Sequence, residues 1–204
     1  LQINDPSAIN FDQERCDPIF CGTLDEHAAN TFLDMDFENQ PVSGDVSITN
    51  WTNYIQDGSE SWETYTDGGQ NASLGISARI GSFNSGDDST VAWLITPSIP
   101  VSSNQLTSFE FKSSNSFADD SIMRVLYATD WDGTEENILN ANWQEVVDVN
   151  VVSNETNFQD WVSSGIADLS CIGDDIHIAF KYIGSGDGDE DGTYEIDDIL
   201  IKTE

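Results

Sequence analysis

Acidic side chains are the most abundant groups in this sequence that could do chemistry. The segment DGDEDG carries Asp187, Asp189 and Asp191 at every second position, followed by Gly192. This spacing matches the oxygen ligands in the first half of an EF-hand calcium loop, and Asp198 falls at the twelfth position, where Glu is usual. The next residues, YEIDDILI, are typical of a strand rather than of an exiting helix. An acidic hairpin turn is therefore the favoured interpretation of this segment, and a metal loop is the alternative.

Aromatic side chains beside acids form a second group. Trp131 lies between Asp130 and Asp132 in a segment typical of an exposed loop, and Trp62 lies among polar residues. An exposed ring offers a flat apolar face to the C–H groups of a sugar, while carboxylates accept hydrogen bonds from its hydroxyls. The alternative is that each Trp fills one end of the fold. The predicted carbohydrate-binding residues are Trp131, Trp62, Tyr65, Trp161, Asp130 and Asp132.

Residues for nucleophilic catalysis are scarce. The chain has two histidines, and His177 alternates with Ile176 and Ile178, which is typical of a histidine held within a sheet. No G-x-S-x-G motif and no Cys-plus-His context occurs. Hydrolysis of a glycoside needs only two facing carboxylates, but nothing in the sequence singles out a pair. We therefore predict a protein that is not an enzyme.

Charge excludes several classes of partner. The 204 residues include 6 Lys+Arg and 38 Asp+Glu, so the formal net charge is −32. Nucleic-acid binding requires a basic patch, and anionic membranes and polysaccharides are repelled by the same charge. Bound cations would relieve the self-repulsion, and calcium suits carboxylate oxygens best. No run of about 20 apolar residues that could cross a bilayer is present.

The elements that position these groups are predicted to be strands. From Thr31 onward, short alternating segments such as FLDMDFE and SIMRVLYATD are separated by Gly, Asp, Asn and Ser, and only EENILNA indicates a helical turn. We predict an all-β fold, an antiparallel β-sandwich of jelly-roll type, over residues 31–204. Residues 1–30 are predicted to be an N-terminal extension or linker, without a signal peptide. Cys16 and Cys21 could close a small loop there, and Cys171 would remain as a buried thiol.

Six segments from about Phe32 to Lys202 carry a resemblance to a known family through their order and spacing. They are DFEN (36–39), NWTNYIQDGSESW (50–62), AWLITPSI (92–99), VLYATDWDGT (125–134), NWQEV (142–146) and DLSCIGDDIHIAFKYIGSGDGDEDGTYEIDDILI (168–201). With these segments the sequence resembles the choice-of-anchor J or cleaved-adhesin type domain of Bacteroidetes secreted proteins, a relative of the MAM-type jelly roll. Trp131 stands where this family usually has Tyr or Phe, and Trp161 stands where a smaller residue is common.

The resemblance implies a cation site. In this family the first and last strands lie side by side, and calcium is often bound there by carboxylates of the opening strand, a QD-like loop and the terminal IDD-like strand. Carried over to this sequence, the implied ligands are Asp36 or Glu38, Asp57 and Asp198. Sequence spacing alone does not connect these residues.

The resemblance also implies a non-catalytic module of a large exported protein, found at the cell surface or outside the cell. We predict a calcium-stabilised carbohydrate-binding module, expected to be a monomer, that recognises a neutral polysaccharide such as a β-glucan, with laminarin as the example. Neighbouring domains of the same parent chain are further expected partners. The alternative is an adhesion or spacer domain that binds no sugar, for which all six tryptophans would be buried.

Overall fold

The computed structural model describes residues 30–66, 75–101, 106–152, 161–170 and 172–203. The residues predicted as an extension, 1–30, lie outside this part except for Asn30, as do all three cysteines. The described residues form thirteen strands and one 3₁₀-helix: β1 (Asn30–Met35), β2 (Gly44–Asp45), β3 (Thr52–Asp57), β4 (Glu63–Tyr65), β5 (Ser77–Ile80), β6 (Thr90–Ile95), β7 (Thr107–Ser116), β8 (Ile122–Ala128), the 3₁₀-helix (Glu135–Asn140), β9 (Gln144–Glu145), β10 (Val162–Ser163), β11 (Ala167–Asp168), β12 (His177–Gly184) and β13 (Thr193–Thr203).

The strands form two antiparallel sheets, which confirms the predicted all-β sandwich. The larger sheet has eight strands in the order β10-β7-β13-β5-β4-β2, with β1 also paired to β13 and β11 paired to β7. The smaller sheet has the order β3-β6-β12-β8-β9. The first described strand thus lies beside the last one, as the resemblance implied. Strand β13 is central, because it pairs with β7 along one edge and with β1 and β5 along the other.

The main core lies between the two sheets. Alternate residues of β7 face inward, and the rings of Phe109 and Phe111 stack with their centroids 5.4 Å apart. Both rings contact Phe180 of the opposite sheet, at centroid distances of 6.3 and 5.1 Å. Since aromatic side chains bury the largest areas, this trio contributes strongly to holding the sheets together.

A β-bulge interrupts the last strand. Ile196 and Ile199 are both fully buried, although residues three apart in a regular strand face opposite sides. The register of β13 against β7 shifts between Asp197 and Leu200, and Asp198 has a φ of +49°. The extra residue lets both isoleucines reach the core, and it leaves two adjacent carboxylates outside it.

A second apolar cluster covers part of the outer face of the smaller sheet. The segment after β8 folds back over this sheet, and its 3₁₀-helix buries Ile138 completely. This helix coincides with the turn predicted at EENILNA. The cluster also contains Trp93 of β6 and Trp131 of the covering segment. In the described part of the chain, no helix is both long and apolar enough to span a bilayer.

Candidate functional site

A row of polar side chains crosses the outer face of the larger sheet. Glu63 of β4 pairs with Arg79 of β5, which pairs with Glu195 of β13. Their strand neighbours Ala78 and Ile196 point into the core, so the row points away from it. The Nε atom of Arg79 donates to Glu63 Oε1 at 2.9 Å, and this ion pair neutralises the guanidinium.

The row forms the floor of a pocket of about 650 Å³. Glu195 is only 2% exposed and accepts a 2.6 Å hydrogen bond from the hydroxyl of Ser77. Phe83 and Phe117 line the same pocket and are 70% and 59% exposed, so their rings face solvent. The pocket therefore combines apolar rings with polar groups. Its lining residues are Glu60, Glu63, Arg79, Gly81, Phe83, Phe117, Ala118, Asp119, Gly188, Asp191, Thr193 and Glu195.

One wall of the pocket is the hairpin that joins β12 to β13. Asp119 fastens this hairpin, because its Oδ2 accepts the backbone N–H of Gly192 at 2.7 Å. The backbone N–H of Asp120 donates to the carbonyl of Asp189 at 2.9 Å. Burial, together with the negative charges of Asp119 and Asp189, raises the pKa of Asp191. The segment DGDEDG is thus a hairpin turn, as the favoured interpretation of its sequence held.

The prediction that Trp62 is an exposed sugar platform is wrong. Its side chain is fully buried in the main core. The side chain of Asn53 holds its backbone, because Nδ2 donates to the Trp62 carbonyl at 2.7 Å and Oδ1 accepts the Trp62 N–H at 3.2 Å. The polar neighbours of Trp62 in the sequence are typical of a surface residue. Its ring nevertheless packs into the main core, beneath the edge of the larger sheet.

The corresponding prediction for Trp131 is also wrong. Its side chain is 7% exposed, and its indole N–H donates to the carbonyl of Thr134 at 2.8 Å. Its ring contacts His177 and Trp143 at centroid distances of 4.6 and 6.0 Å. The Nδ1 atom of His177 lies 2.9 Å from the carbonyl of Thr96, so the interpretation of this residue as a sheet histidine is confirmed.

The two acids beside Trp131 fasten its loop. Asp132 Oδ1 accepts hydrogen bonds from the hydroxyl and backbone N–H of Thr134 at 2.7 and 2.9 Å. Hydrogen bonds from Thr134 and then Asn137 lower the pKa of Asp132. Asp130 Oδ1 accepts the backbone N–H of Asn142 at 2.9 Å. These acids are exposed, but the loop presents no stacking ring beside them, so the predicted aromatic–acid platform is not formed there.

The remaining predicted aromatic residues lie on the larger sheet. Tyr65 is half-buried next to the pocket, and the guanidinium of Arg79 lies 3.5 Å from its ring centroid. Trp161 is half-buried and precedes β10, on the far side of β7 from the pocket. None of the six tryptophans is fully exposed. The exposed rings at the pocket are phenylalanines, which the sequence reasoning did not select.

A group of carboxylates surrounds the bulge of β13. Asp197 is 1% exposed, and its Oδ2 has no hydrogen-bond partner. The pKa of Asp197 is raised to about 8: burial raises it most, the backbone N–H of Asp198 lowers it, and the negative charges of Asp198, Glu38 and Asp36 add to the rise. Glu38 Oε1 accepts the backbone N–H of Ile76 at 2.9 Å. A buried carboxylate is costly unless cations balance it and its like-charged neighbours. Lys112, the register partner of Asp197 on β7, is the basic residue beside these carboxylates.

This group differs from the predicted ligand set at two positions. Asp198 forms an ion pair with Lys112 at 2.7 Å, and Asp57 ends β3 in the other sheet, where its Oδ1 accepts the N–H of Gly58. The charges of Asp36 and Glu38 act on Asp197, as that of Asp198 does, whereas Asp57 lies on the other sheet. Among the described residues, no three Asp, Glu, His or Cys side chains already stand together as a metal site. The oxygen-only chemistry of this group nevertheless fits a hard cation such as calcium.

Comparisons with known proteins define the fold. No family model and no curated protein matches the chain. Among solved structures, the K3 cleaved adhesin domain of Lys-gingipain from Porphyromonas gingivalis W83 is 17% identical, with 85% of this chain and 99% of that chain covered and a TM-score of 0.53. The K1 cleaved adhesin domain of the same protein is also 17% identical, with 86% and 98% covered and a TM-score of 0.53.

A carbohydrate-binding module is similar at the same level. TmCBM61, solved in complex with β-1,4-galactotriose, is 13% identical, with 84% of this chain and 97% of that chain covered and a TM-score of 0.50. The chain therefore has the jelly-roll fold seen in cleaved adhesin domains and in carbohydrate-binding modules. At these identities the likeness establishes the fold, and function has to be argued from the site.

Proposed function

We propose that this protein is a non-catalytic carbohydrate-binding module of a secreted or cell-surface protein. The observation that carries the proposal is the pocket of about 650 Å³ on the larger sheet, which combines the exposed rings of Phe83 and Phe117 with the buried carboxylate of Glu195. Apolar rings with a few converging polar groups are the usual composition of a small-molecule site. The fold shared with carbohydrate-binding modules and adhesin domains is compatible with this function.

The charge of the pocket selects a neutral glycan. Five carboxylates line the pocket, and its one guanidinium is already paired with Glu63. An anionic sugar would meet repulsion there, whereas hydroxyl groups can donate hydrogen bonds to carboxylate oxygens. The phenylalanine rings would pack against the C–H faces of the sugar units. A β-glucan such as laminarin is the favoured ligand within this class.

Calcium is proposed as a structural ion at the bulge of β13. Asp197 would be a buried ligand, and Asp36 and Glu38, both exposed, would complete its carboxylate set. The support is the unpartnered Oδ2 of Asp197 and the raised pKa of this group. Since Asp197 is two residues from Glu195 on the same strand, the ion would also stabilise the floor of the pocket. Its binding energy would add to the stability of the folded state.

Affinity electrophoresis tests the proposed function directly. The protein would migrate through gels that contain neutral or anionic polysaccharides, with and without calcium. Retardation by laminarin or another neutral glucan, mannan or xylan supports the proposed function. Comparison of the gels with and without calcium reports whether the ion contributes to binding. Failure of every neutral polysaccharide to retard the protein would reject the proposed function.

Phe117→Ala and Phe83→Ala are each expected to weaken binding to the retarding glycan by about tenfold, because each removes a stacking ring. Both side chains are exposed, so the melting temperature should change little. Phe32→Ala is the matched control, because Phe32 is a 41% exposed ring on β1 that does not line the pocket. Isothermal titration would measure the affinities. Equal affinities in all three variants would place the sugar site elsewhere.

An adhesion or spacer domain is the second candidate. It is favoured by the tryptophans, which are all buried or half-buried, and by the fold similarity to cleaved adhesin domains. In that case the exposed phenylalanines would contact a protein, such as a neighbouring domain of the same parent chain. Size-exclusion chromatography is expected to show a monomer, and phenylalanine variants that alter protein association but not glycan binding would favour this second function.

A further inference from the structure

A second pocket lies on the outer face of the smaller sheet. Lys181 of β12 pairs in register with Trp93 of β6 on one side and with Arg124 of β8 on the other. The ammonium of Lys181 lies 4.3 Å from the ring centroid of Trp93, and the ring of Trp143 is 5.4 Å from that of Trp93. These residues line a groove of about 440 Å³. It is separate from the pocket on the larger sheet.

Lys181 differs from the other basic residues of the described ranges in having no carboxylate within 4 Å. This is unusual in a chain with 38 acidic residues. Lys181 is half-buried, and desolvation together with the positive charge of Arg124 lowers its pKa. A half-buried ammonium whose counterion is missing is a group that an anion would stabilise. The pairs formed by the others are Arg79–Glu63, Lys112–Asp198, Arg124–Glu145 and Lys202–Glu110.

The other groups of the groove suit a sugar. Gln56 Oε1 accepts the indole N–H of Trp93 at 2.9 Å, which leaves the amide N–H groups of Gln56 available to donate. Asn142 adds a second amide, and the half-buried ring of Trp143 adds an apolar face. We propose that this groove binds a single uronic acid unit, with its carboxylate on Lys181 and Arg124 and its ring on Trp143.

The net charge of the protein does not conflict with this ligand. Charges more than about 8 Å away are largely screened at physiological ionic strength, so the charges of the groove itself set its field. Arg124 is paired with Glu145, which also lines the groove, and Lys181 supplies the positive charge that remains. A polymer with a carboxylate on every unit would extend into the acidic surroundings and be repelled. The site therefore fits a polysaccharide of mostly uncharged units with occasional uronate units. This inference is independent of the proposed function, because the groove and the larger pocket lie on opposite sheets.

Nuclear magnetic resonance on ¹⁵N-labelled protein tests the inference. Methyl β-D-glucuronide is the probe, and methyl β-D-glucoside is its matched neutral control. The glucuronide should shift the indole N–H signals of Trp93 and Trp143 in a saturable way, while the glucoside should not. Lys181→Gln is expected to lower the affinity for the glucuronide by at least about tenfold, and Lys181→Arg should keep this affinity.

Lys112→Gln is the control for the loss of one positive charge, because Lys112 is on the other sheet. It should leave the glucuronide affinity unchanged. If Lys181→Gln lowers the melting temperature strongly, Arg124→Gln provides the second variant, since Arg124 is half-exposed. The inference is overturned if the glucuronide causes no saturable shift, if the glucoside binds equally well, or if Lys181→Gln binds as the unaltered protein does. Stronger binding of tetraglutamate than of glucuronide would assign the groove to acidic peptides instead and would also overturn it.

Discussion

Replacing Trp62 by alanine is expected to reduce the free energy of unfolding by about 3–5 kcal/mol. The side chain is fully buried between the sheets, so its removal loses apolar burial and leaves a cavity. Domains of this kind are stable by about 5–15 kcal/mol, so the variant would lose a large share of its total stability. Chemical denaturation followed by circular dichroism measures the change.

Trp62→Phe is the matched variant for this experiment. It keeps a ring in the core and removes an indole N–H that has no hydrogen-bond partner. It should therefore reduce the free energy of unfolding far less than the alanine variant does. Phe117→Ala, at an exposed ring, should stay within about 0.5 kcal/mol of the unaltered protein. A Trp62→Ala protein that keeps its full stability but loses glycan binding would contradict the structure and restore Trp62 as a sugar platform.

Asp197→Asn is expected to stabilise the calcium-free protein at pH 8 by roughly 2–4 kcal/mol, which is the cost of the raised pKa less about 1–3 kcal/mol for a buried amide without a partner. The pKa of Asp197 is raised from 3.8 to about 8 in the folded state, and each unit corresponds to about 1.4 kcal/mol. The unfolded chain therefore releases this proton near pH 4 while the folded protein retains it. Stability should fall as pH rises from about 4 to about 8, and asparagine removes this loss because it does not ionise.

Calcium should reverse the effect. Added to the unaltered protein at pH 8, it should raise the melting temperature, whereas Asp197→Asn should respond much less because a charged ligand is gone. Asp57→Asn is the control, because Asp57 lies on the other sheet and should leave the calcium response intact. Thermal melts in EDTA and in calcium at pH 5 and pH 8 supply the measurement. Identical pH profiles for Asp197→Asn and the unaltered protein would contradict the assigned burial of Asp197.

The sequence predicted the fold better than the site. Alternation of apolar and polar residues is a local signal, so the strands and the short turn at EENILNA could be found from it. Asp197 and Asp198 could not be told apart in this way. Which of the two carboxylates is buried depends on a bulge that is needed to bring both Ile196 and Ile199 into the core, and that requirement appears only once the strands are paired.

The burial of the aromatic residues is the second feature that could not be predicted from the sequence. Polar neighbours made Trp62 and Trp131 look exposed, but neighbours in sequence do not report what a ring meets across the sandwich. Phe83 and Phe117 did have a local signal, because each is a lone phenylalanine between Gly, Ser, Asn and Asp residues, where a turn exposes it. Tryptophan offers the larger stacking surface, so the sequence favours the tryptophans over these phenylalanines as sugar platforms.

The central place of β13 in the larger sheet has a kinetic consequence. This strand is formed by Thr193–Thr203, yet its partners include β1, more than 150 residues earlier in the chain. Pairing of such distant segments requires closure of long loops, so folding is expected to be slow compared with that of a helical protein of equal size. Glu195 and Asp197 both lie on this strand. The pocket floor and the carboxylate group therefore both require the pairing of this last strand with its neighbours.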